Sequence, residues 1–147
     1  VNNRQLIKEA FDFDDVTICL RHDGVLLVYV KDEAVINRKM QENIIFSIIR
    51  LKGGDPNKYP AIIELGEFIS MAEDLVLHTD LPYKEHILSV AVYAKNTADR
   101  IIAKYYTRKY KTSSQFIIFN SFEEALDYSY ERMKSAGIDF LPCSEEL

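Results

Sequence analysis

A chain of 147 residues, 48% hydrophobic and 28% charged, has the composition of one compact domain with a buried core, which excludes a disordered chain. Its longest apolar runs, Val25 to Val30 and Ile87 to Ala94, fall far short of the roughly 20 residues that span a bilayer, so no membrane insertion is expected. A net charge of -5 and a pI near 5.2 disfavour nonspecific affinity for nucleic acid while leaving room for a local basic patch.

The two cysteines, Cys19 and Cys143, are too few and too ill-spaced for a disulfide framework or a zinc site. With no export signal at the start, a reducing, cytoplasmic setting is expected.

Residues 1–14 read as a flank. Val16 to His22 and Val25 to Val30 are β-rich runs separated by Asp23-Gly24, a pair that favours a tight hairpin turn. The second run is apolar on both faces and is expected deeper in the sheet. From an Asn37 cap, Met40, Ile44, Ile45, Ile48 and Ile49 recur at helical spacing until Gly53-Gly54-Asp55-Pro56 stops them.

Ala61 to Leu65 reads as a short buried strand. Ser70 is then expected to cap a helix that carries Met71, Leu75 and Val76 into the low eighties, ended or kinked at Pro82. Ile87 to Ala94 is an uninterrupted apolar strand, followed by a helix with Ala98, Ile101, Ile102 and Tyr105 on one side. Gln115 to Phe119 is the last strand. Ser121 and Glu124 form a capping box for the last helix, which turns Phe122, Ala125, Leu126 and Met133 inward, and Gly137 stands at its C-terminal cap.

The resulting order, β-β-α-β-α-β-α-β-α, gives an α/β fold: about five strands in a mixed sheet, an N-terminal hairpin and about four helices, joined by right-handed crossovers. One domain spans 15–137, and 138–147 forms a tail.

Chemistry-bearing patterns are sparse. Five glycines form neither a dinucleotide fingerprint nor a phosphate loop, and Gly53-Gly54 serves as a helix stop. Asp12, Asp14 and Asp15 lack the glycine and the later glutamate of a calcium loop, and read as a solvated acidic flank. His22, His78 and His86 show no metal-ligand spacing, and no nucleophile elbow is present. No metal, cofactor or catalytic residue is therefore assigned.

Glu64 and Glu67 flank Gly66 at a strand end, where α/β sheets place ligands, although solvated loop carboxylates are the simpler reading. Lys95, Arg100, Lys104, Arg108, Lys109 and Lys111 interleave with Tyr105, Tyr106 and Tyr110. Such a patch could stack bases, but helical spacing favours a wet helix face over nucleic-acid binding.

The layout resembles the STAS-like domains of sulfate transporters and anti-sigma-factor antagonists, in particular small stand-alone bacterial relatives. The resemblance runs from about Asp15 to Gly137 and is carried by Leu20-Arg21-His22-Asp23-Gly24-Val25-Leu26, Tyr59-Pro60-Ala61-Ile62-Ile63-Glu64, Val90-Ala91-Val92, Ala98-Asp99-Arg100-Ile101-Ile102-Ala103 and Phe119-Asn120-Ser121-Phe122-Glu123-Glu124-Ala125-Leu126. It implies a sheet with helices mainly on one face and a regulatory or binding role.

Phosphorylatable members carry a serine or threonine in an Asp-Ser-Ser-Gly-like segment after the third strand. Phe68-Ile69-Ser70-Met71-Ala72 matches in place but lacks that aspartate and glycine, leaving Ser70 as the candidate phosphoacceptor. The expected function is a noncatalytic regulatory module that binds a protein, or a second copy of itself, through a surface including Glu64, Glu67 and Phe68. The alternatives are a carrier of a small apolar ligand between sheet and helices, and an enzyme using a loop carboxylate with a histidine.

Overall fold

The structure is a computed structural model and describes residues 7–72, 83–109 and 116–142. β2 (Val16–Arg21) and β3 (Leu26–Val30) form the expected antiparallel hairpin, with Ile18 opposite Val28. The turn is wider than the Asp23-Gly24 pair suggested. His22, Asp23 and Gly24 all lie in it, closed by a hydrogen bond from Arg21 N–H to the Val25 carbonyl (3.0 Å). Gly24 alone takes a positive φ there, 85°, the left-handed position that ends a three-residue hairpin loop.

The supposed N-terminal flank contains a strand. β1 (Ile7–Asp12) pairs antiparallel with β2 and forms one edge of the main sheet. Its mostly exposed side chains hide it from a hydrophobicity reading, because backbone pairing and the inward Phe11 and Phe13 hold it rather than an apolar face.

The other half of the sheet is parallel. β5 (Tyr59–Leu65), β7 (Ile87–Ala94) and β8 (Phe116–Phe119) follow β3, giving the order β1-β2-β3-β5-β7-β8. Six strands thus replace the expected five. A second, two-stranded sheet joins β4 (Val35–Ile36) to β6 (Ser70–Met71).

α1 (Arg38–Lys52) starts at Asn37, whose side chain accepts from Met40 N–H, and stops at Gly53 in the left-handed region. Both ends are as the sequence predicts. α2 (Tyr83–His86) is a single turn; the helix expected to run from Ser70 into the low eighties crosses residues 73–82, which lie outside the described ones. α3 (Thr97–Lys109) and α4 (Phe122–Ser135) complete the chain. Ser121 caps α4 by accepting from Glu124 N–H, and Gly137 at φ 71° lets Ile138 N–H reach the Met133 carbonyl (3.0 Å), closing the helix end.

The helices cover both sheet faces rather than mainly one. Met40, Ile44, Ile48 and Leu51 of α1 and Ala103 of α3 join Val16, Ile18, Val28 and Val92 in one core; Ala125 and Met133 of α4 join Val25, Ile62 and Ala91 in the other. The cause is in the sequence, since β3, β5 and β7 are apolar on alternate and intervening positions alike and need cover on both sides.

Candidate functional site at the carboxyl ends of the parallel strands

β3 and β5 run parallel, so the loops that leave them emerge side by side. They are tied together. Gly66 N–H donates to the Val30 carbonyl (2.7 Å), Glu33 N–H to the Glu67 carbonyl (2.8 Å), and Ser70 N–H to the Ala34 carbonyl (3.1 Å). The Asp32 carboxylate accepts from Glu67 N–H at 2.8 Å. Gly66 is essential to this approach, because a Cβ there would sit 2.7 Å from Asp32 N and from the Val30 carbonyl oxygen.

This double loop holds two non-glycine residues in the left-handed region, Glu33 at φ 63° and Phe68 at φ 59°. Such a conformation costs on the order of 1 kcal/mol or more per residue, and the surrounding hydrogen bonds, each worth about 1 kcal/mol net, outweigh it. Between the tied Glu67 and the buried Ile69, Phe68 is left 75% exposed. Val35 of β4 is 46% exposed nearby, opposite the exposed Ser70.

Ser70 is not a helix cap. It lies in β6, with its N–H spent on the Ala34 carbonyl just before β4, so among the described residues no helix N-terminus stands there to favour a phosphate. The sequence pattern of a small hydroxyl before an apolar run fits a strand edge as well as a cap, and the parallel partner decided between them.

Glu64 is half-buried near the end of β5, and burial pushes its carboxyl pKa above the ordinary glutamate value, with Lys95 pulling the other way. Glu67 is exposed. The described histidines stand at the other end of the parallel strands: His22 in the hairpin turn, and His86 just before β7 with its Nδ1 3.3 Å from Lys52 Nζ. Glu64 and Glu67 therefore meet neither of them. His78 lies outside the described residues.

Within the acidic flank, Asp12 is engaged by its neighbours. Asp12 accepts from Lys31 Nζ (2.8 Å) and from the Thr17 hydroxyl (2.6 Å), and the Lys31 hydrogen bond leads the causes that hold its carboxyl below the ordinary value. Among the described residues, no three or more His, Cys, Asp or Glu side chains gather in a way that could hold a metal. Cys19 is buried, and desolvation pushes its thiol up to about 11, far from a reactive thiolate.

The basic stretch divides. Arg100 is tied back, donating to the Ala94 carbonyl (3.2 Å) and the Thr97 hydroxyl (3.1 Å). Lys104 is exposed, Arg108 and Lys109 fall in the last turn of α3, and Lys111 lies outside the described residues. The expected inward face of α3 is reversed. Ile101 is 61% and Tyr105 57% exposed, Ala98 is exposed, and Asp99 and Ala103 turn inward instead. Small residues let α3 lie close against β7 and β8, which the larger side chains would prevent.

One feature that the sequence did not reveal lies under α4. Arg21 and Asp23 are 6% and 1% exposed and form an ion pair at 3.0 Å, while Tyr130 donates to Asp23 at 2.6 Å. The Arg21 guanidinium also stands 5.5 Å from the Phe122 ring centre. Beside it, the Phe140 ring stacks on Tyr130 at 4.8 Å, so this part of the tail docks on its own domain.

These features define an α/β module with a half-parallel six-stranded sheet, helices on both faces and its exposed polar and aromatic groups at the carboxyl ends of the parallel strands. The family model described as "Domain of unknown function (DUF7793)" matches residues 18–131, and the chain belongs to that family. No curated protein matches it.

Among solved structures, the chain is similar to an uncharacterized protein of the DUF3478 family with a SpoIIAA-like fold from Shewanella loihica PV-4. The two share 14% identity over 82% of this chain and 90% of that one, with a TM-score of 0.46.

Proposed function

We propose that this domain is a noncatalytic protein-interaction module that uses the double loop at the carboxyl ends of β3 and β5 as its docking platform. The observation that carries the reading is Phe68. A large aromatic side chain 75% exposed, on a left-handed backbone, pinned by hydrogen bonds on both sides, is costly to keep unless something covers it. Aromatic anchors presented on rigid supports are the groups that dominate protein–protein binding energy.

Val35 adds apolar area, and the exposed Glu67 and Ser70 supply a polar rim. Ser70 serves here as a rim hydroxyl, since the helix start that would stabilise a phosphate is replaced by a strand.

The test is Phe68→Gly. Glycine relieves the left-handed strain, about 1 kcal/mol, and loses a comparable amount through the freer unfolded chain, so the melting temperature should move by only a few degrees. Native mass spectrometry of tagged wild type and variant, gently purified from the source cells, should then show a stoichiometric protein partner on the wild type and at least tenfold less on the variant. Equal partner occupancy on the two chains, or a bare wild-type monomer, would overturn the reading.

A further inference from the structure

The register that builds the parallel sheet also lines up a polar row. Tyr29 of β3 stands beside Glu64 of β5, which stands beside Tyr93 of β7. Register partners on neighbouring strands share a sheet face. Ile63 and Leu65, on either side of Glu64, belong to the core under α1, so the row faces the α4 side.

α4 covers Ile62 and Ala91, two residues earlier on the same strands, but Tyr29 and Tyr93 belong to neither packed cluster. All three members of the row are half-buried. Among the described residues, no hydrogen bond or ion pair reaches the Glu64 carboxylate. Lys95 bears on it only through its field and is itself exposed, where solvent and salt screen it.

A carboxylate that has lost part of its water without gaining a partner is unfavourable, and a cation that brings its own donors removes that cost. Two aromatic side chains beside it add the attraction of their rings for positive charge. A planar guanidinium suits both at once, pairing with a carboxylate through two N–H groups while stacking on a ring, which a lysine ammonium does not do.

We propose that the Tyr29–Glu64–Tyr93 row receives an arginine side chain from the protein partner. This deepens the interaction reading and rests on it, placing the cation pocket on β5 just before the loop that carries Phe68.

The test uses the intact protein and an amidated peptide of alternating glycine and arginine, compared with the same peptide carrying citrulline, which keeps the shape and loses the charge. Binding is followed by NMR through the ring protons of Tyr29 and Tyr93 and the side-chain carboxyl carbon of Glu64. The arginine peptide should move all three signals, and the citrulline peptide should not.

Glu64→Gln should weaken arginine-peptide binding at least tenfold, while Asp127→Asn, which removes an exposed carboxylate of α4, changes it less than twofold. Tyr93→Leu should weaken binding several-fold and Tyr93→Phe should restore it, since the ring acts rather than the hydroxyl. Melting curves confirm that each variant folds. Equal effects of Glu64→Gln and Asp127→Asn, or equal binding of citrulline and arginine peptides, would overturn the inference and show only the general pull of a chain of net charge -5 on a cation.

The two readings fail separately. Loss of the native partner in Phe68→Gly with no arginine preference would sink the cation pocket alone. An arginine preference with a partner indifferent to Phe68 would sink the platform.

Discussion

Asp23 shows how much one side chain can hold. Its carboxylate is 1% exposed and accepts from Arg21 Nε and Nη2, from Val25 N–H at 3.0 Å and from the Tyr130 hydroxyl at 2.6 Å, so it fixes the hairpin turn and ties it to α4. A buried ion pair adds little net stability over a well-packed apolar replacement, but removing one partner strands the other. Asp23→Ala should therefore cost about 3–5 kcal/mol in urea unfolding. Tyr130→Phe, which deletes one hydrogen bond to a charged group, should cost about 1.5–3 kcal/mol. Equal stability of Asp23→Ala and wild type would mean that the Arg21 guanidinium finds water on its own. The sequence showed the turn, because Asp-Gly is a local signal. It could not show the Tyr130 bond, which joins residues 107 positions apart and exists only once α4 lies over the sheet.

At the scale of elements, caps were legible and faces were not. Asn37, Gly53, Ser121 and Gly137 each end a helix where expected, because a cap needs only neighbours within a few residues. Ser70 misled because the same local pattern serves a strand when a parallel partner is at hand. On α3, Ile101 and Tyr105 lie about 200° around the helix from Asp99 and Ala103, so an apolar stripe was visible but its direction was not. At Gly66 a Cβ would press on backbone atoms of Asp32 and Val30 that hydrogen bonds hold in place, so it cannot be relieved by turning a side chain. Gly66→Ala should cost about 2–4 kcal/mol, in the range of overpacking and broken loop bonds. Amide hydrogen exchange should rise at Glu33, Glu67 and Ser70 more than in the α1 core. Unchanged protection there would mean that the loops are not the rigid support that Phe68 requires.

The whole molecule raises the question of where its folding unit begins. The family match starts at residue 18, inside β2, and composition makes residues 1–14 look like a flank, yet β1 pairs along β2 from Ile7↔Arg21 to Asp12↔Thr17. β2 is buried at nearly every position, with Val16 and Ile18 fully covered. Without β1 it would become an edge strand with free N–H and C=O groups and an apolar face, the arrangement that pairs with other chains. Phe11, which packs on the α1-side core, would be lost as well. Deleting residues 1–11 keeps the Asp12–Lys31 ion pair, so the change reports on the strand alone. If β1 belongs to the folding unit, the truncated chain should melt at least about 5 °C lower, the shift that roughly 2 kcal/mol produces at this size, and light scattering should show self-association that grows with concentration. If it melts as the full chain does and stays monomeric, β2 is stable as an edge by itself, and the strand is an accessory to a domain whose boundary the family match marks.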